Sequence, residues 1–547
     1  MKSKRLTLSV LFVVAAVANA LACTNLIVGK NASADGSTIV SYSADSYGLF
    51  GELYHYPAGM HKKGTLIDIH EWDTGKYLGQ IAQARQTYNV IGNMNEFQLT
   101  IGETTFGGRP ELVDTTGIID YGSLIYLGLQ RSRTAREAIK VMTELVQEYG
   151  YYSGGESFTI ADPNEIWIME MIGKGPGVRG AVWVAVRVPD DCISAHANQS
   201  RIHQFNMNDK ENCMYSPDVI SFAREKGYFD GVNKDFSFAN AYAPLDFGAR
   251  RYCEARVWSY FNMFTDRGNE FLPYILGETN TPMPLFVKPN RKVSVQDVKN
   301  AMRDHYEGTP LDISKDFGAG PYHTPYRLSP LSFKVGDREY FNERPISTQQ
   351  SGFVFVAQMR SELPDPIGGV LWFGTDDANM TVFTPVYCCT DKVPVCYTRV
   401  DGADYITFSW NSAFWIFNWV VNMVYPRYDL MMGDVRATQT ELETTFNEAQ
   451  EGVEAAAAKL LEKDPAKAKA FLTNYTNMTA QSTFDTWKRL GEFLVVKYND
   501  GVVKRMKNGQ FERNSIGQPA GVIRPGYPKE FLEEYVKQTG DRYKMPE

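Results

Sequence analysis

The residue of this 547-residue sequence best placed to do chemistry is a cysteine near its beginning, Cys23. Before it come a positively charged start, an apolar stretch too short to cross a bilayer, and the small-x-small triplet Ala20-Leu21-Ala22. These three features predict a secretory signal peptide, residues 1–22, that is removed during export. The mature chain would then begin with Cys23, in the bacterial periplasm or outside the cell.

A cysteine at a newly made amino terminus carries a nucleophile and a base on one residue. The thiolate is a strong nucleophile, and a free α-amine has a pKa of roughly 7.7–8.0, suited to accepting a proton near neutral pH. Lipid attachment is disfavoured because Ala20, and not leucine, stands three residues before Cys23. A disulfide is disfavoured because chain termini fray. Both interpretations, and an ordinary core cysteine, stay open beside the nucleophile.

Other reactive residue types form weaker patterns. The seven cysteines and seven histidines show no metal-ligand spacing, so no metal and no cofactor is predicted. The odd cysteine count leaves at least one free thiol, and those between 388 and 396 are close enough for one local disulfide. Cys192 lies too near His196 and His203 in sequence to favour a papain-type pair. G-x-S-x-G and H-E-x-x-H motifs are absent, so serine hydrolases and zinc proteases lack support.

Composition argues against two classes of partner. The sequence carries a net charge of −8, and a mildly acidic surface does not attract nucleic acid. The closest approach to a membrane span, residues 412–425, is short and contains two asparagines, so it predicts a buried core element. We therefore predict neither nucleic acid binding nor a membrane span. Homo-oligomer formation stays open.

The elements that must position the reactive residues follow from the pattern of apolar side chains. Short β-branched runs separated by turn residues predict strands from 24 to about 105 and again from 157 to 198. Between them, apolar residues at helical spacing predict a helix over 135–149, which Gly150 ends. Residues 175–180 match G-x-G-x-x-G, but a β-rich segment follows them, which predicts a hairpin turn and no nucleotide site.

The rest of the chain changes character twice. Mixed segments with helical patches occupy 205–330, and strands return at 350–400. After residue 435 the composition turns to alanine, glutamate, lysine and leucine, which predicts a helical hairpin over 436–500, broken at Asp464-Pro465. We predict three parts: the signal peptide at 1–22, a catalytic domain at 23–435, and a C-terminal helical region at 436–547 packed on it.

Several stretches of the sequence resemble a single family. They are CTNLIVGKNASADGSTIVSYSADS, NEFQLTIGETT, FTIADPNEIWIMEMIG with WVAVRVPDDCISAHANQSRI, and FSWNSAFWIFNWVVN. In combination they are similar to the secreted dipeptidases of the dipeptidase A type, which are N-terminal-nucleophile (Ntn) cysteine hydrolases related to secernins and penicillin V acylase. The resemblance implies an α+β fold, the αββα sandwich of two antiparallel sheets, to which the C-terminal helical region is an addition.

The resemblance also implies roles for individual residues. Cys23 would be the nucleophile and, through its amine, the base. Asp45 would orient that amine, and Asn198 would hold the tetrahedral oxyanion. Substrate or oxyanion contacts are implied for Glu103, Thr104, Thr105 and an active-site arginine in RRYCEARVW, which is Arg251 or Arg256. The more distantly related bile salt hydrolases have an arginine in the segment that corresponds to residues 36–45. This sequence has none there, so its thiol would be activated somewhat differently.

The sequence thus predicts a secreted cysteine peptidase that hydrolyses dipeptides, with small peptides as its partners. Two alternatives stay open: an N-acyl amide hydrolase of the same superfamily, and a non-enzymatic secreted or lipidated binding protein. The pocket distinguishes the two enzymes, because a free amine and a free carboxylate need polar or charged partners, whereas an acyl chain needs an apolar slot. Glu103, as a candidate contact for the amine, favours dipeptides.

Overall fold

Two antiparallel sheets form the centre of the structure, a computed structural model that describes residues 23–547. The predicted signal peptide, residues 1–22, lies outside the described residues. The first sheet has six strands, in the spatial order Ile193–His196, Asn25–Val28, Thr38–Asp45, Ser351–Met359, Val370–Thr375 and Thr384–Tyr387. The second has eight, in the order Cys213–Tyr215, Ala181–Arg187, Ile166–Gly173, Gly155–Ala161, Thr100–Gly107, Met94–Asn95, Val90–Ile91 and His55–Tyr56.

The two sheets pack face to face and are joined by buried hydrogen bonds. Asn25 of the first sheet donates from its side chain to the carbonyl oxygen of Glu103 at 2.7 Å. Gly102 permits this approach, because a Cβ there would lie 2.4 Å from Oδ1 of Asn25. The strand Thr38–Asp45 is buried at every position, as expected of a strand covered on both faces.

Helices cover the outer face of each sheet. The helices Tyr121–Arg131 and Ala135–Tyr149 share an apolar cluster with the second sheet, while Ala413–Val424 and Pro465–Tyr498 pack on the first. This helix–sheet–sheet–helix order is the predicted αββα sandwich, and the predicted fold is therefore confirmed. The other described α-helices are Val219–Glu225, Phe238–Tyr242, Ala255–Phe264, Gly268–Ile275, Val295–Ala301, Asp365–Gly368, Tyr428–Leu461 and Lys529–Thr539.

Several local predictions from the sequence are confirmed. The helix Ala135–Tyr149 has its predicted bounds, with Thr134 as N-cap and Gly150, at a φ of +80°, as C-cap. The glycine motif at 175–180 lies in the hairpin turn between two strands of the second sheet, as predicted. The apolar segment 412–425 contains the largely buried helix Ala413–Val424. No helix among residues 23–547 is long and apolar enough to span a membrane.

The C-terminal region differs in part from the prediction. The helical hairpin is present as Tyr428–Leu461 and Pro465–Tyr498, capped by Asp464, but it begins before residue 436. Beyond 498 the chain is not mainly helical. It contains two small two-stranded ladders, Val503–Lys504 with Val522–Ile523 and Met506–Lys507 with Gln510–Phe511. Three further ladders of this kind lie earlier in the described chain: Gly59–Met60 with Gln86–Thr87, Leu66–His70 with Tyr77–Ala82, and Ser332–Val335 with Arg338–Phe341. All seven cysteines are unpaired thiols, so the local disulfide considered for 388–396 is not formed.

Candidate active site

Cys23 lies at the end of an inner strand of the first sheet, and its side chain is buried. It stands just before the strand Asn25–Val28, and the residue between them pairs with Ser43 of the neighbouring strand. This pairing brings the thiol to the end of Thr38–Asp45, where Sγ lies 3.7 Å from the hydroxyl of Tyr42. Only 3 % of Cys23 is exposed. The predicted nucleophile therefore sits inside the sandwich.

Asp45 ends its strand beside Cys23, and three side chains hold its carboxylate. Ser351 donates to Oδ1 at 2.6 Å and Ser43 donates to Oδ2 at 3.1 Å. Arg344 donates through Nη2 to Oδ2 at 2.5 Å and forms a buried ion pair with Asp45. Arg344 comes from 299 positions further along the chain, so no local motif could have revealed it.

Asn198 and Cys23 are joined by a single guanidinium group. Arg256 donates through Nη1 to the carbonyl oxygen of Cys23 at 2.6 Å and through Nη2 to Oδ1 of Asn198 at 3.0 Å. Because Oδ1 accepts this bond, the amide nitrogen of Asn198 faces the carbonyl of Thr105, to which it donates at 2.8 Å. Asn198 has a φ of +66°, a conformation that asparagine tolerates better than most residues. Burial, and then the charge of Arg344, lower the pKa of Arg256 to about 10.

The loop after Asn198 is held by Glu170, which explains one of the sequence motifs. Glu170 accepts hydrogen bonds from the hydroxyl of Ser200 and from the backbone N–H groups of Arg201 and the residue after it. Arg201 in turn pairs with Glu254 at 2.9 Å. The glutamate of IWIMEMI and the residues of ANQSRI are thus partners, and together they fix the backbone that presents Asn198.

The structure separates the two candidate arginines. Arg256 lines a cavity that opens above Cys23. Arg251 does not line this cavity and instead forms an ion pair with Glu343 beside an exposed hairpin. Arg251 lies in the π-helical turn Ala249–Glu254 and Arg256, five positions later, in the α-helix Ala255–Phe264, and their side chains make different contacts. The position first considered for the substrate contact, Arg251, does not reach Cys23, and Arg256 does.

Glu103 reaches the thiol through Tyr42. The hydroxyl of Tyr42 donates to Oε1 of Glu103 at 2.6 Å, while Oε2 of Glu103 has no hydrogen-bond partner among the described residues. Burial raises the pKa of Glu103 to about 7. Burial, and then the charge of Glu103, raise the pKa of its neighbour Glu156 as well. Two carboxyl groups that both favour protonation therefore lie behind Tyr42, and sequence reasoning found only one of them.

Thr104 and Thr105 have structural contacts. Thr104 contacts Nδ1 of His196 at 2.7 Å, and Thr159 contacts Nε2 of the same ring at 2.6 Å. Burial lowers the pKa of His196 to about 3, so this imidazole is neutral and joins the two sheets. Thr105 donates its hydroxyl to Glu156 at 2.8 Å and its carbonyl accepts from Asn198. Because His196 is held by the two threonines, the papain-type pair with Cys192 gains no support.

A cavity of about 1550 Å³ opens above Cys23. Four residues named from the sequence line it, Cys23, Asp45, Asn198 and Arg256, together with Arg344, which the sequence did not reveal. Its walls are rich in aromatic side chains, among them Tyr42, Tyr54, Tyr56, Trp72, Tyr121 and Phe353. Among residues 23–547, no three histidine, cysteine, aspartate or glutamate side chains are grouped to hold a metal ion. The metal-free mechanism remains a prediction.

The thiol of Cys23 is protonated in this environment. Burial, followed by the charges of Glu103 and Asp45, raises the pKa of the thiol above its ordinary value. A protonated thiol needs a base that takes its proton as it attacks a carbonyl carbon. The arrangement thus fits acyl transfer to sulfur, with Asn198 as an amide donor and a base still to be supplied.

The two-sheet sandwich with helices on both outer faces is a fold of the Ntn-hydrolase type. The family follows from sequence comparison: the chain belongs to peptidase family C69, whose model matches residues 22–55 and 50–441. This match confirms the predicted dipeptidase A-type family and the prediction that the protein is a peptidase.

Curated relatives carry related names. A "Probable dipeptidase" of Salmonella dublin is 30 % identical over 395 residues, covering 67 % of this chain and 81 % of its own. A "Probable dipeptidase" of Latilactobacillus sakei is 26 % identical over 474 residues, covering 83 % and 90 %. "Dipeptidase A" of Lactobacillus helveticus is 24 % identical over 416 residues, covering 72 % and 80 %. The similarity therefore extends over most of each protein.

Removing Arg344 is expected to destabilise the protein and slow catalysis. The variant Arg344→Gln leaves the buried carboxylate of Asp45 without its ion-pair partner, which typically costs about 3–5 kcal/mol. Chemical unfolding should show that loss in free energy, and Arg344→Lys should recover part of it. Arg251→Gln is the control, since its ion pair lies outside the cavity. Wild-type stability and turnover in Arg344→Gln would contradict the role assigned to this arginine.

The buried carboxyl of Glu103 predicts how stability changes with pH. Below pH 4.5, its ordinary pKa, the group is protonated in both states and has no effect. Between 4.5 and about 7 the unfolded chain releases this proton while the folded protein keeps it, so stability falls as pH rises. Glu103→Gln should remove this contribution, and its stability relative to wild type should increase from about pH 5 to about pH 8 in denaturant titrations. If the difference in unfolding free energy between Glu103→Gln and wild type did not change with pH, Glu103 would be ionised in the folded protein.

Proposed function

We propose that this enzyme is exported, loses residues 1–22 and hydrolyses dipeptides with the thiol and the α-amine of Cys23. The names of its relatives support the substrate class. The observation that carries the mechanism is the bridge through Arg256, which contacts both Cys23 and Asn198. It holds the nucleophile and an amide donor in fixed relation at one cavity.

The α-amine of Cys23 is the base that fits this site. The thiol is protonated at rest, so its proton must leave during attack. The two imidazoles that the sequence offered are engaged elsewhere, His196 by threonines and His203 by Ser237. Asp45 supports the amine, because a carboxylate has about four acceptor positions and its described side-chain partners use three.

The reaction proceeds through a thioester. Sγ of Cys23 attacks the scissile carbonyl carbon as the α-amine takes the thiol proton. The side-chain amide of Asn198, which Arg256 positions, stabilises the negative oxygen. The C–N bond breaks, and the departing amine takes the proton from the α-ammonium. Water then attacks the thioester and gives a proton to the α-amine, which returns it to sulfur as the acid leaves.

Two forms of the chain test the proposal. The form secreted by its host should have the mass expected for a free, unmodified Cys23 at its amino terminus and should hydrolyse dipeptides. A form made without export, verified to keep residues 1–22, should be inactive because its nitrogen is an amide that accepts no proton. Cutting that form in vitro just before Cys23 should restore activity. Full turnover by the uncut form would contradict the α-amine as base.

Comparison of substrates tests the proposed substrate class. The secreted enzyme should prefer free dipeptides to N-acyl amino acids and to long-chain N-acyl amides. The opposite preference would make it an N-acyl amide hydrolase, the alternative within the same superfamily.

A further inference from the structure

The cavity above Cys23 is larger than a dipeptide requires. Its volume is about 1550 Å³, whereas cavities that enclose drug-sized ligands have roughly 300–1,000 Å³. Such ligands are themselves larger than most dipeptides. It runs from the buried thiol to side chains as exposed as Ile406, at 90 %. A substrate held at the thiol can therefore extend outward without leaving the cavity.

One carboxylate projects into this cavity from a well-anchored turn. Asp73 lies in the turn between the strands Leu66–His70 and Tyr77–Ala82 and lines the cavity. The hydroxyl of Tyr121 donates to its Oδ1 at 2.9 Å. Before it, the backbone N–H of Trp72 donates to Asp120 at 2.9 Å, which fixes the turn on the helix Tyr121–Arg131.

Asp73 is a suitable partner for a substrate ammonium group. The side chain of Asp73 is in contact with the solvent in the cavity. Partial burial against the protein raises the pKa of its carboxyl group to about 6, so the group is ionised at neutral pH. Tyr121, which binds it, also lies within electrostatic range of Cys23 and Glu103. No described cation contacts Asp73. The free amine of a peptide is two bonds from the first carbonyl carbon, so a group that binds this amine must line the same cavity as the thiol, as Asp73 does.

The cavity offers no comparable partner for a substrate carboxylate. Three described cations line it: Arg256, Arg344 and Arg399. Arg256 donates to three backbone carbonyls as well as to two side chains, and Arg344 donates to Asp45 and to neighbouring carbonyls. Arg399, nearer the surface, pairs with Glu52 at 2.8 Å. All three are already engaged within the protein.

From these contacts we propose that the enzyme recognises the free amino terminus of its substrate through Asp73 and does not require a free carboxyl terminus. It therefore removes the first residue from longer peptides as well as splitting dipeptides. This inference rests on the proposed function, because the same thioester forms. The C–N bond of the first peptide linkage breaks, and the leaving group is the amine of the shortened peptide, which takes the proton from the α-ammonium of Cys23.

A substrate series with one first residue tests both ideas separately. It comprises a dipeptide, its C-terminal amide, its N-acetyl derivative, and the tripeptide and tetrapeptide that extend it. We expect kcat/KM for the amide and the longer peptides to lie within about tenfold of the dipeptide, and the N-acetyl derivative to fall by about a hundredfold or more. Products identified by mass should be the first amino acid and the shortened peptide.

The outcomes of this series are distinguishable. If the dipeptide is cleaved but its amide and the tripeptide are slower by about a hundredfold, the inference is wrong and the proposed function stands. If the longer peptides are cleaved and the dipeptide is not, the inference stands and the proposed substrate class is wrong. If only the N-acetyl derivative is cleaved, or nothing is, both are wrong.

Substitution of Asp73 tests the residue itself. Asp73→Asn should lower kcat/KM for free-amine peptides by about tenfold to a hundredfold while reducing their advantage over N-acetyl peptides. The control is Asp68→Asn on the same hairpin, since Asp68 contacts Gln80 and does not line the cavity. A structural role would affect both kinds of substrate equally, so an unchanged ratio between free and acetylated peptides would overturn the assignment of Asp73.

Discussion

Cys23→Ala is expected to reduce hydrolysis of every substrate by at least about a thousandfold, because no other group can form the thioester. The described residues include six other thiols, but none of those at 192, 213, 388, 389 and 396 lines the cavity, and Cys253, which does, lies within the chain and has no free α-amine of its own. The correctly processed variant should keep its unfolding temperature, since only one sulfur atom is lost. The measurement is kcat/KM on purified protein with a verified amino terminus.

Two controls make this result specific to Cys23. Cys192→Ala removes another buried thiol, which lies outside the cavity, and should leave turnover unchanged. Cys253→Ala removes the other thiol of the cavity and should cost far less than Cys23→Ala. If Cys23→Ala retained more than about a hundredth of the wild-type rate, the thiol would have no place in the mechanism.

Asn198→Gly and Asn198→Ala are both expected to lower kcat by about 10²–10³, the usual effect of removing one oxyanion donor. They differ in their effect on the fold. At a φ of +66°, alanine is strained whereas glycine is not, so only Asn198→Ala should also lower the unfolding temperature. Steady-state kinetics and thermal unfolding of the two variants separate the amide from the backbone conformation.

The glycine variant decides whether the amide itself matters. If Asn198→Gly turned over at the wild-type rate, the asparagine would serve only to accept Arg256 and to adopt its left-handed conformation. Normal kcat with a raised KM would instead mean that the amide binds substrate and transition state equally well.

The sequence revealed local elements better than long-range pairing. The helix Ala135–Tyr149 was predictable because its apolar positions repeat at helical spacing and its caps are adjacent in sequence. The pairing of Thr38–Asp45 with Ser351–Met359 joins segments about 300 residues apart, and only the family resemblance implied such a sheet. The last long hairpin begins at Tyr428, ahead of the change in composition, because Tyr428 hydrogen-bonds to Asn379 in the body of the protein.

The same distinction holds at the candidate site. Cys23 could be singled out by the chemistry of an amino-terminal cysteine, whereas Asp45 and Asn198 were implied only by the family resemblance; the structure brings all three to one cavity. Arg344 could not be predicted, because it lies 299 positions from Asp45 and only the tertiary fold brings the two side chains together. Arg251 and Arg256 stand in one motif, and the choice between them depends on the direction of each side chain from its helix.

The origin of Arg344 has a consequence for the order in which an exported chain becomes active. A chain that crosses a membrane amino end first delivers Cys23 well before the segment that completes the setting of Asp45. During that interval the nascent polypeptide has its thiol but lacks the guanidinium that neutralises the carboxylate beside it. On the proposed export route, the setting of Asp45 is therefore complete only once the segment around residue 344 has crossed the membrane, and we expect the emerging peptidase to be latent toward peptides around it until then.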